Sequence, residues 1–304
     1  MIYTLTLNTA IDMNISCDPI TPSVVNRTHH TEYCPNGKGV NVARVLGHYN
    51  QPAHIMGVFG GFTGHYIVEE LLKEKFSVTP AWVDQPTRIN IFINDGEHEY
   101  KLLNQGNLVD DDCKHQVIQH LDCLKEGDFL VISGSLPPGI ESNFYNEILA
   151  VCRDKGCEVI IDISHPVLKK LIEQRPLLIK PNDDELAEIF GLEVRTHQQV
   201  REAMGFLHKA GAQNVLLTMG ARGLYFSDGT NIWFCTAPEI ELVSSACAGD
   251  AALGAFLSVW LQGGDMSEAL SLASATGADV AASAGLGTFS RVAQFLTQTE
   301  IVKL

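Results

Sequence analysis

Positive charge is what this sequence has least of. Its 304 residues carry 21 Lys and Arg against 36 Asp and Glu, a formal net charge of −15. A field of that sign argues against nucleic acid or an anionic membrane as a global partner. It also means that any anionic substrate must be met by cations gathered locally. Long apolar runs are missing too, since no uninterrupted stretch reaches the roughly 20 residues that span a bilayer. Met1 is followed at once by the strand-like YTLTLNTAID rather than by a leader, so the expectation is a cytoplasmic protein. The eight cysteines, at 17, 34, 113, 123, 152, 157, 235 and 247, form no CxxC pair, which argues against a zinc ribbon or a thioredoxin-like centre. They read instead as reduced, mostly buried thiols. The 11 histidines show no HExxH, and His29-His30 reads as a solvated pair. The sequons at Asn14 and Asn26 carry no meaning in a cytoplasmic protein. No GxGxxG follows the first strand-like run and no Walker A loop occurs, so neither dinucleotide chemistry nor a P-loop is indicated. There is no internal repeat and no low-complexity segment.

What remains is an ordinary globular composition, long enough for a large core. Residues 2–8 alternate like a strand, and Asp12 stands near its exit. Residues 13–34 are rich in Thr, Val, Asn and Ser and read as an extended excursion. Residues 55–59 form a buried-strand candidate, and helical spacing follows through Ile67, Leu71 and Leu72. Residues 87–104 then read as a hairpin about Asp95-Gly96. The two excursions are expected to pair as a small sheet outside the main fold, carrying Arg27, Arg88 and Lys101. From about 107 onward, strand and helix patterns alternate. Strands are predicted near 129–133, 159–162, 177–180 and 215–219, and helices near 111–124, 142–155, 165–173, 183–190 and 197–210. A β-like return at 222–235 precedes helices near 249–262, 267–284 and 289–297. Continuous apolar strands alternating with helices mean a mostly parallel sheet covered on both faces, an α/β fold of three α/β/α layers.

Ligands in such sheets bind beyond the carboxyl ends of the strands. The polar segments expected there are Ser133-Gly134-Ser135, Lys180-Pro181-Asn182 and Thr218-Met219-Gly220. In Pro35-Asn36-Gly37-Lys38-Gly39-Val40-Asn41, two glycines bracket a lysine at the start of a helical pattern, and glycine lets the backbone approach a ligand. Residues 243–256, VSSACAGDAALGAF, read as a turn feeding a buried helix with Asp250 in its first turn. Unpaired N–H groups there suit a phosphate, and an acid beside them could take a proton from an attacking hydroxyl. Alone, the AGD tripeptide says no more than that Asp250 complements the helix dipole.

Seven stretches in order resemble the ribokinase-like PfkB family of sugar kinases over essentially the whole chain. They are LTLNTAID at 5–12, NGKGVNVARVL at 36–46, TRIN at 87–90, SGSLPPG at 133–139, KPNDDE at 180–185, TMGARG at 218–223 and SACAGDA at 245–251. The similarity is greatest to the phosphosugar branch, 1-phosphofructokinases and tagatose-6-phosphate kinases among them. It implies a sheet of roughly nine strands plus a lid from about 12–34 and 87–106, within one kinase domain spanning 1–304. It implies ATP and Mg2+ and a sugar phosphate as acceptor. The open sheet edges of such a lid are in turn expected to pair with a second copy, as a homodimer. On the matching positions Asp250 is the catalytic base, with Ala248 and Gly249 in its anion hole. Asp12, Gly37, Gly39 and Asn41 hold sugar hydroxyls, Lys38 reaches the sugar or its phosphate, and Ser133 lies beside them. Arg27, Arg88 and Lys101 meet the phosphate already on the substrate. Lys180, Asn182, Thr218, Gly220 and Gly223 lie along the nucleotide, and Glu185 organises magnesium through water.

TRIN favours fructose 1-phosphate as acceptor, with tagatose 6-phosphate as the alternative. Three positions depart from the family pattern: Asn8-Thr9 for Asn-Pro, Asn36 for the first Gly of GGKG, and Cys247 for the first Gly of GAGD. A Cβ at 247 would cost about 1–2 kcal/mol if that loop requires positive φ. This departure is the basis of a rival reading, a kinase-fold sensor that binds sugar phosphate and turns over poorly. A thiol beside an anion hole is also expected to have a lowered pKa if it is reactive, while packing is its plainer role.

Overall fold

The computed structural model describes residues 1–304. Fourteen strands form two sheets. The strands are β1 (Ile2–Thr6), β2 (Ala10–Cys17), β3 (Thr28–Asn36), β4 (Ala53–Gly60), β5 (Ser77–Val83), β6 (Ile89–Asn94), β7 (Glu99–Leu102), β8 (Phe129–Gly134), β9 (Glu158–Ile163), β10 (Leu178–Ile179), β11 (Asn214–Thr218), β12 (Leu224–Ser227), β13 (Ile232–Cys235) and β14 (Ile301–Lys303). The helices are α1 (Lys38–His48), α2 (Gly61–Lys73), α3 (Asp111–His120), α4 (Ser142–Lys155), α5 (Leu168–Leu171), α6 (Asp183–Glu185), α7 (His197–Ala210), α8 (Ala248–Trp260), α9 (Met266–Ala281) and α10 (Val292–Leu296).

The main sheet has ten strands in the order β14-β13-β12-β11-β10-β9-β8-β1-β4-β5. It is parallel from β11 to β5, and β12, β13 and β14 are antiparallel. Helices cover both faces because the strands are apolar on both. Leu5, Ile132, Ile161 and Val215 belong to one core, and Ile55, Val131, Ile160 and Leu216 to the other. The tenth strand, absent from the expected nine or so, is the three-residue β14, which pairs with β13 at the sheet's end. The expected helix at 183–190 is one turn of α-helix followed by a π-helical stretch, Leu186–Phe190.

The second sheet has four strands in the order β3-β2-β6-β7, so the two excursions do pair. Its register places Ile11, Met13 and Ile15 beside Ile89, Ile91 and Ile93, and Asp12 and Asn14 beside Asn90 and Phe92. Alternation therefore gives it one apolar face and one polar face. The chain passes from β1, third from the β5 edge of the main sheet, to β2 through only Leu7, Asn8 and Thr9, and it returns from β3 to α1 through Gly37. These short links tether the small sheet at the carboxyl end of β1.

On the face of the second core, α8 packs against α1 and α9. Leu253, Phe256 and Leu257 of α8 join Val42 and Leu46 of α1 and Leu270 of α9. The approach to α1 is close, since a Cβ on Gly254 would lie 2.8 Å from Val45 Cβ. That contact sets the start of α8 beside the start of α1, and the site is built between them.

Candidate active site

The polar face of the small sheet delivers Asp12. Asn90, its neighbour across β6, donates Nδ2–H to Oδ1 at 2.9 Å, and Asn36 at the end of β3 donates to Oδ2. Burial raises the Asp12 pKa, opposed by those two amides and by Arg88. Gly37 follows Asn36 at φ 146°, a conformation open to glycine, and so turns the chain into α1. A Cβ on Gly39 would lie 2.5 Å from Thr6 Oγ1, so α1 can seat on β1 only without one. Asn41, one turn into α1, is buried and donates to Asn36 Oδ1 at 3.1 Å and to Asp250 Oδ2 at 2.8 Å. A row of side-chain amides thus joins Asp12 to Asp250.

Asp250 lies in the first turn of α8. The helix has no side-chain cap, and its first backbone bond, Ala251 N–H to Cys247 C=O, is 2.9 Å long. The N–H groups of Ala248, Gly249 and Asp250 precede that bond and point out of the helix start, where negative charge is favoured. Burial lifts the Asp250 pKa to about 6; the Lys38 ammonium opposes the rise and the Asp162 carboxylate adds to it. Cys247 precedes the helix at φ 64°, ψ −11°, the left-handed conformation in which the departure from glycine matters. Its thiol accepts from Asn41 Nδ2 at 3.3 Å and packs against Val45, Ala251 and Val280. The thiol pKa is raised, not lowered, first by burial and then by the Asp250 and Asp12 carboxylates. Cys247 is therefore a packed thiol rather than an activated one. Because glycine relieves the backbone and alanine does not, Cys247→Gly is expected to be more stable than Cys247→Ala by about 1 kcal/mol, read as a difference in urea unfolding.

A second group of charges stands at the ends of β9 and β10. Asp162 is fully buried, with Lys180 Nζ at 3.2 Å and Lys38 Nζ at 3.4 Å from its Oδ1. Burial alone would raise its pKa, but the two ammonium groups hold it below the usual carboxylate value. Its Oδ2 has no hydrogen-bond partner. Lys38 also donates to Ser164 Oγ at 2.8 Å. Burial disfavours its charge, but Asp162, Asp250 and Glu185 outweigh that and raise its pKa. Lys38 thus spans from α1 toward β9 instead of reaching out along the small sheet. Lys180 also borders the start of α8, since a Cβ on Gly249 would lie 3.5 Å from its Nζ. Asn182 and Glu185 form a capping box on α6, Glu185 N–H donating to Asn182 Oδ1 at 2.7 Å and Asn182 N–H to Glu185 Oε2 at 3.0 Å. Ser164 donates to the other Glu185 oxygen.

The remaining expected residues fall into two groups. Thr218 ends β11 in a bridge with Asn182, its N–H donating to Pro181 C=O at 3.1 Å, and Gly220 and Gly223 lie at the turn into β12. Ser133 is the penultimate residue of β8, buried, with its hydroxyl unpartnered. Arg88 lines a cleft of about 820 Å³ and donates to three backbone carbonyls, Asn8 at 3.2 Å, Asn104 at 3.1 Å and Thr9 at 3.4 Å. Arg27 and Lys101 are not brought to that cleft. Arg27 is exposed in the loop between β2 and β3, and Lys101 pairs with Glu99 at 3.0 Å.

The site thus sets a buried carboxylate at an uncapped helix start, with buried Lys180 and half-buried Lys38 close by. The profile described as pfkB family carbohydrate kinase matches residues 5–292. The chain belongs to the pfkB family. Over 304 residues, all of both chains, it is 69% identical to the D-tagatose-1-phosphate kinase of Klebsiella oxytoca. It is 32% identical to the 1-phosphofructokinase of Bacillus subtilis, again over the full length of each. The structure of Escherichia coli phosphofructokinase-2 in complex with substrates and products superposes with a TM-score of 0.91 at 26% identity, covering 98% of each chain. Membership of this family makes the chain a phosphosugar kinase with an α/β core and a separate small sheet.

Asn36, Asn90 and Asp162 form the connections of this pfkB site and were absent from the residues expected to build it. Asn36 was visible only as a departure from GGKG, and its task depends on Asp12, 24 residues away. Asn90 lies inside the quoted TRIN segment, but only the parallel pairing of β2 with β6 reveals Asp12 as its partner. Asp162 sits at the predicted end of a strand, which is the signal that could have found it.

Proposed function

We propose that this protein transfers the γ-phosphoryl group of ATP to a ketohexose 1-phosphate, with tagatose 1-phosphate as the preferred acceptor and its 6-hydroxyl as the nucleophile. The observation that carries the reading is Asp250: a buried carboxylate, its pKa raised to about 6, at the start of a helix whose first N–H groups are free. A carboxylate in that range is a better proton acceptor than an exposed one and remains ionised near neutral pH. The Asn41 amide orients it, and the free amides and Lys180 face the charge that builds on the transferring group. Asp12, Asn36 and Asn90 offer a row of acceptors and donors suited to sugar hydroxyls. The 69% identity to a tagatose-1-phosphate kinase supports the choice of acceptor. Fructose 1-phosphate is the second reading, favoured by the TRIN segment and by the Bacillus subtilis relative.

The residues present fit magnesium held chiefly through water. Asp162 keeps a buried, unpartnered oxygen, and Glu185 stands across Lys38 from it with Nζ at 3.9 Å from Oε1. No closed cage of acidic, His and Cys ligands surrounds a point there. Magnesium commonly takes one or two carboxylates, several waters and the phosphates themselves. When bound with ATP it supplies neutralising charge on the phosphate oxygens. The small sheet is read as a lid over the sugar. Its outward apolar face, with Met13, Ile15, Ile91 and Ile93, is read as the contact with a second copy, to be checked by sedimentation.

Coupled ADP release with tagatose 1-phosphate, fructose 1-phosphate, tagatose 6-phosphate and fructose 6-phosphate tests the reaction. Turnover is expected to be fastest with tagatose 1-phosphate, and ADP from none of the four would refute the kinase reading and leave the sensor. The pH profile tests Asp250. Since its carboxylate must be unprotonated, log kcat/KM is expected to be flat above neutrality and to fall with unit slope below about pH 6.

A further inference from the structure

The phosphate that the acceptor already carries needs a site, and within one chain two of the three cations expected there lie away from the cleft that Arg88 lines. Lys101 is paired with Glu99, and Arg27 lies exposed in a loop. Arg88 does face the open cleft. Its guanidinium is held by three backbone carbonyls, through Nε, Nη1 and Nη2, which leaves one N–H on each Nη. The fork is thus fixed in place with two donors unspent.

Two further basic residues line the same cleft, His165 and Lys170, and Glu141 is the one acidic residue among the sixteen that line it. In a chain where acids outnumber cations, a cleft of the opposite balance is a local reversal of the field. Lys170 enters no ion pair, unlike Lys38, Lys101 and Lys180. The His165 ring is oriented by the backbone, because its Nδ1 accepts the Val167 N–H at 3.1 Å. With Nδ1 an acceptor, the ring proton of the neutral form lies on Nε2, so His165 presents a donor at its other edge. Its neighbour Ser164 receives Lys38 and bonds Glu185, which ties this wall of the cleft to the charges around Asp250.

We propose that His165 and Lys170, with Arg88, form the pocket for the phosphate already present on the acceptor, and that they decide the preference for a phosphorylated over a free sugar. The inference rests on the kinase reading above and adds two residues to it. A phosphate has enough acceptor oxygens for a fixed guanidinium fork, an imidazole N–H and an ammonium at once.

The test is steady-state kinetics on Lys170→Gln and His165→Asp, with the best phosphosugar acceptor of the wild type and with the corresponding free ketohexose. Both positions are exposed, and Asp at 165 can still accept the Val167 N–H, so the turn survives while its charge opposes a phosphate. Each variant is expected to raise KM for the phosphosugar by about 10- to 100-fold, the scale of a charged hydrogen bond. KM for ATP should stay within about twofold, the margin for a contact the nucleotide does not make. The preference for the phosphorylated sugar should fall in parallel, and Lys170→Arg should restore most of it. An unchanged phosphosugar KM, or equal rises for phosphosugar and ATP, overturns the assignment and leaves the kinase reading standing. A wild-type protein that releases no ADP from any phosphosugar removes both.

Discussion

Asp250→Asn is expected to lower kcat by on the order of 10²–10⁴, the contribution of one positioned proton acceptor. The substitution keeps the shape of the side chain, and its Oδ1 can still accept from Asn41, which donates to the carboxylate at 2.8 Å in the wild type. The fold and both binding sites are therefore expected to persist. KM for ATP and for the sugar phosphate should move by no more than a few-fold, since the lost interaction belongs to the proton in flight. Single-turnover ADP formation is the measurement. A variant retaining a tenth or more of the wild-type rate would show that the hydroxyl proton leaves by another route.

Asp162→Ala is expected to be the most destabilising single change in the site. It removes the common partner of Lys180, which is 4% exposed, and of Lys38, which is 30% exposed. Leaving a buried charge without its partner costs about 3–5 kcal/mol, and urea unfolding of the apo protein should show a loss on that scale. The sign of the pH dependence follows from the direction of the shift. In the folded chain Asp162 titrates below its ordinary value of 3.8, so its stabilisation is complete above that pH and is lost as acid protonates the folded carboxylate. The gap between wild type and variant should widen slightly as Asp250 protonates near pH 6 and its repulsion with Asp162 is relieved, and should narrow only below about pH 4. A gap that instead closes between pH 8 and pH 5 would assign the stabilisation to a different group.

The parallel half of the fold was legible because its strands are buried on both faces. The runs that become β8, β9 and β11 are continuous and apolar, and nothing in them competes with a strand reading. The start of α8 was legible for the opposite reason, a single acid among small residues. β3 was less visible, since six of its nine residues are exposed and its sequence, THHTEYCPN, alternates poorly. Its strand character comes from pairing with β2, an interaction between residues up to 26 positions apart. β14 is three residues long, too short for any periodicity. In the site, motif residues were found wherever the backbone made a demand, as at Gly37 and Gly39, or where a charge stood at a helix start. The amides between Asp12 and Asp250, and Asp162 between its lysines, take their roles from packing between distant segments, which no local pattern records.

The charge count around the site bears on the end of a turnover. Five carboxylates, Asp12, Asp162, Glu185, Asp250 and the Glu141 of the cleft, face four cations, Lys38, Lys180, Arg88 and Lys170, within a protein of net charge −15. On the proposed reaction the acceptor arrives with one phosphate and leaves with two. The surrounding field therefore opposes the bisphosphate more strongly than it opposes the substrate, and the balance of local cations is too thin to hold the extra charge. Departure of the product is favoured by the same acidity that makes capture of the substrate depend on a few residues. Screening extends over about 8 Å at physiological ionic strength, so added salt should ease arrival and slow departure, reaching the rim of the cleft before the buried lysines.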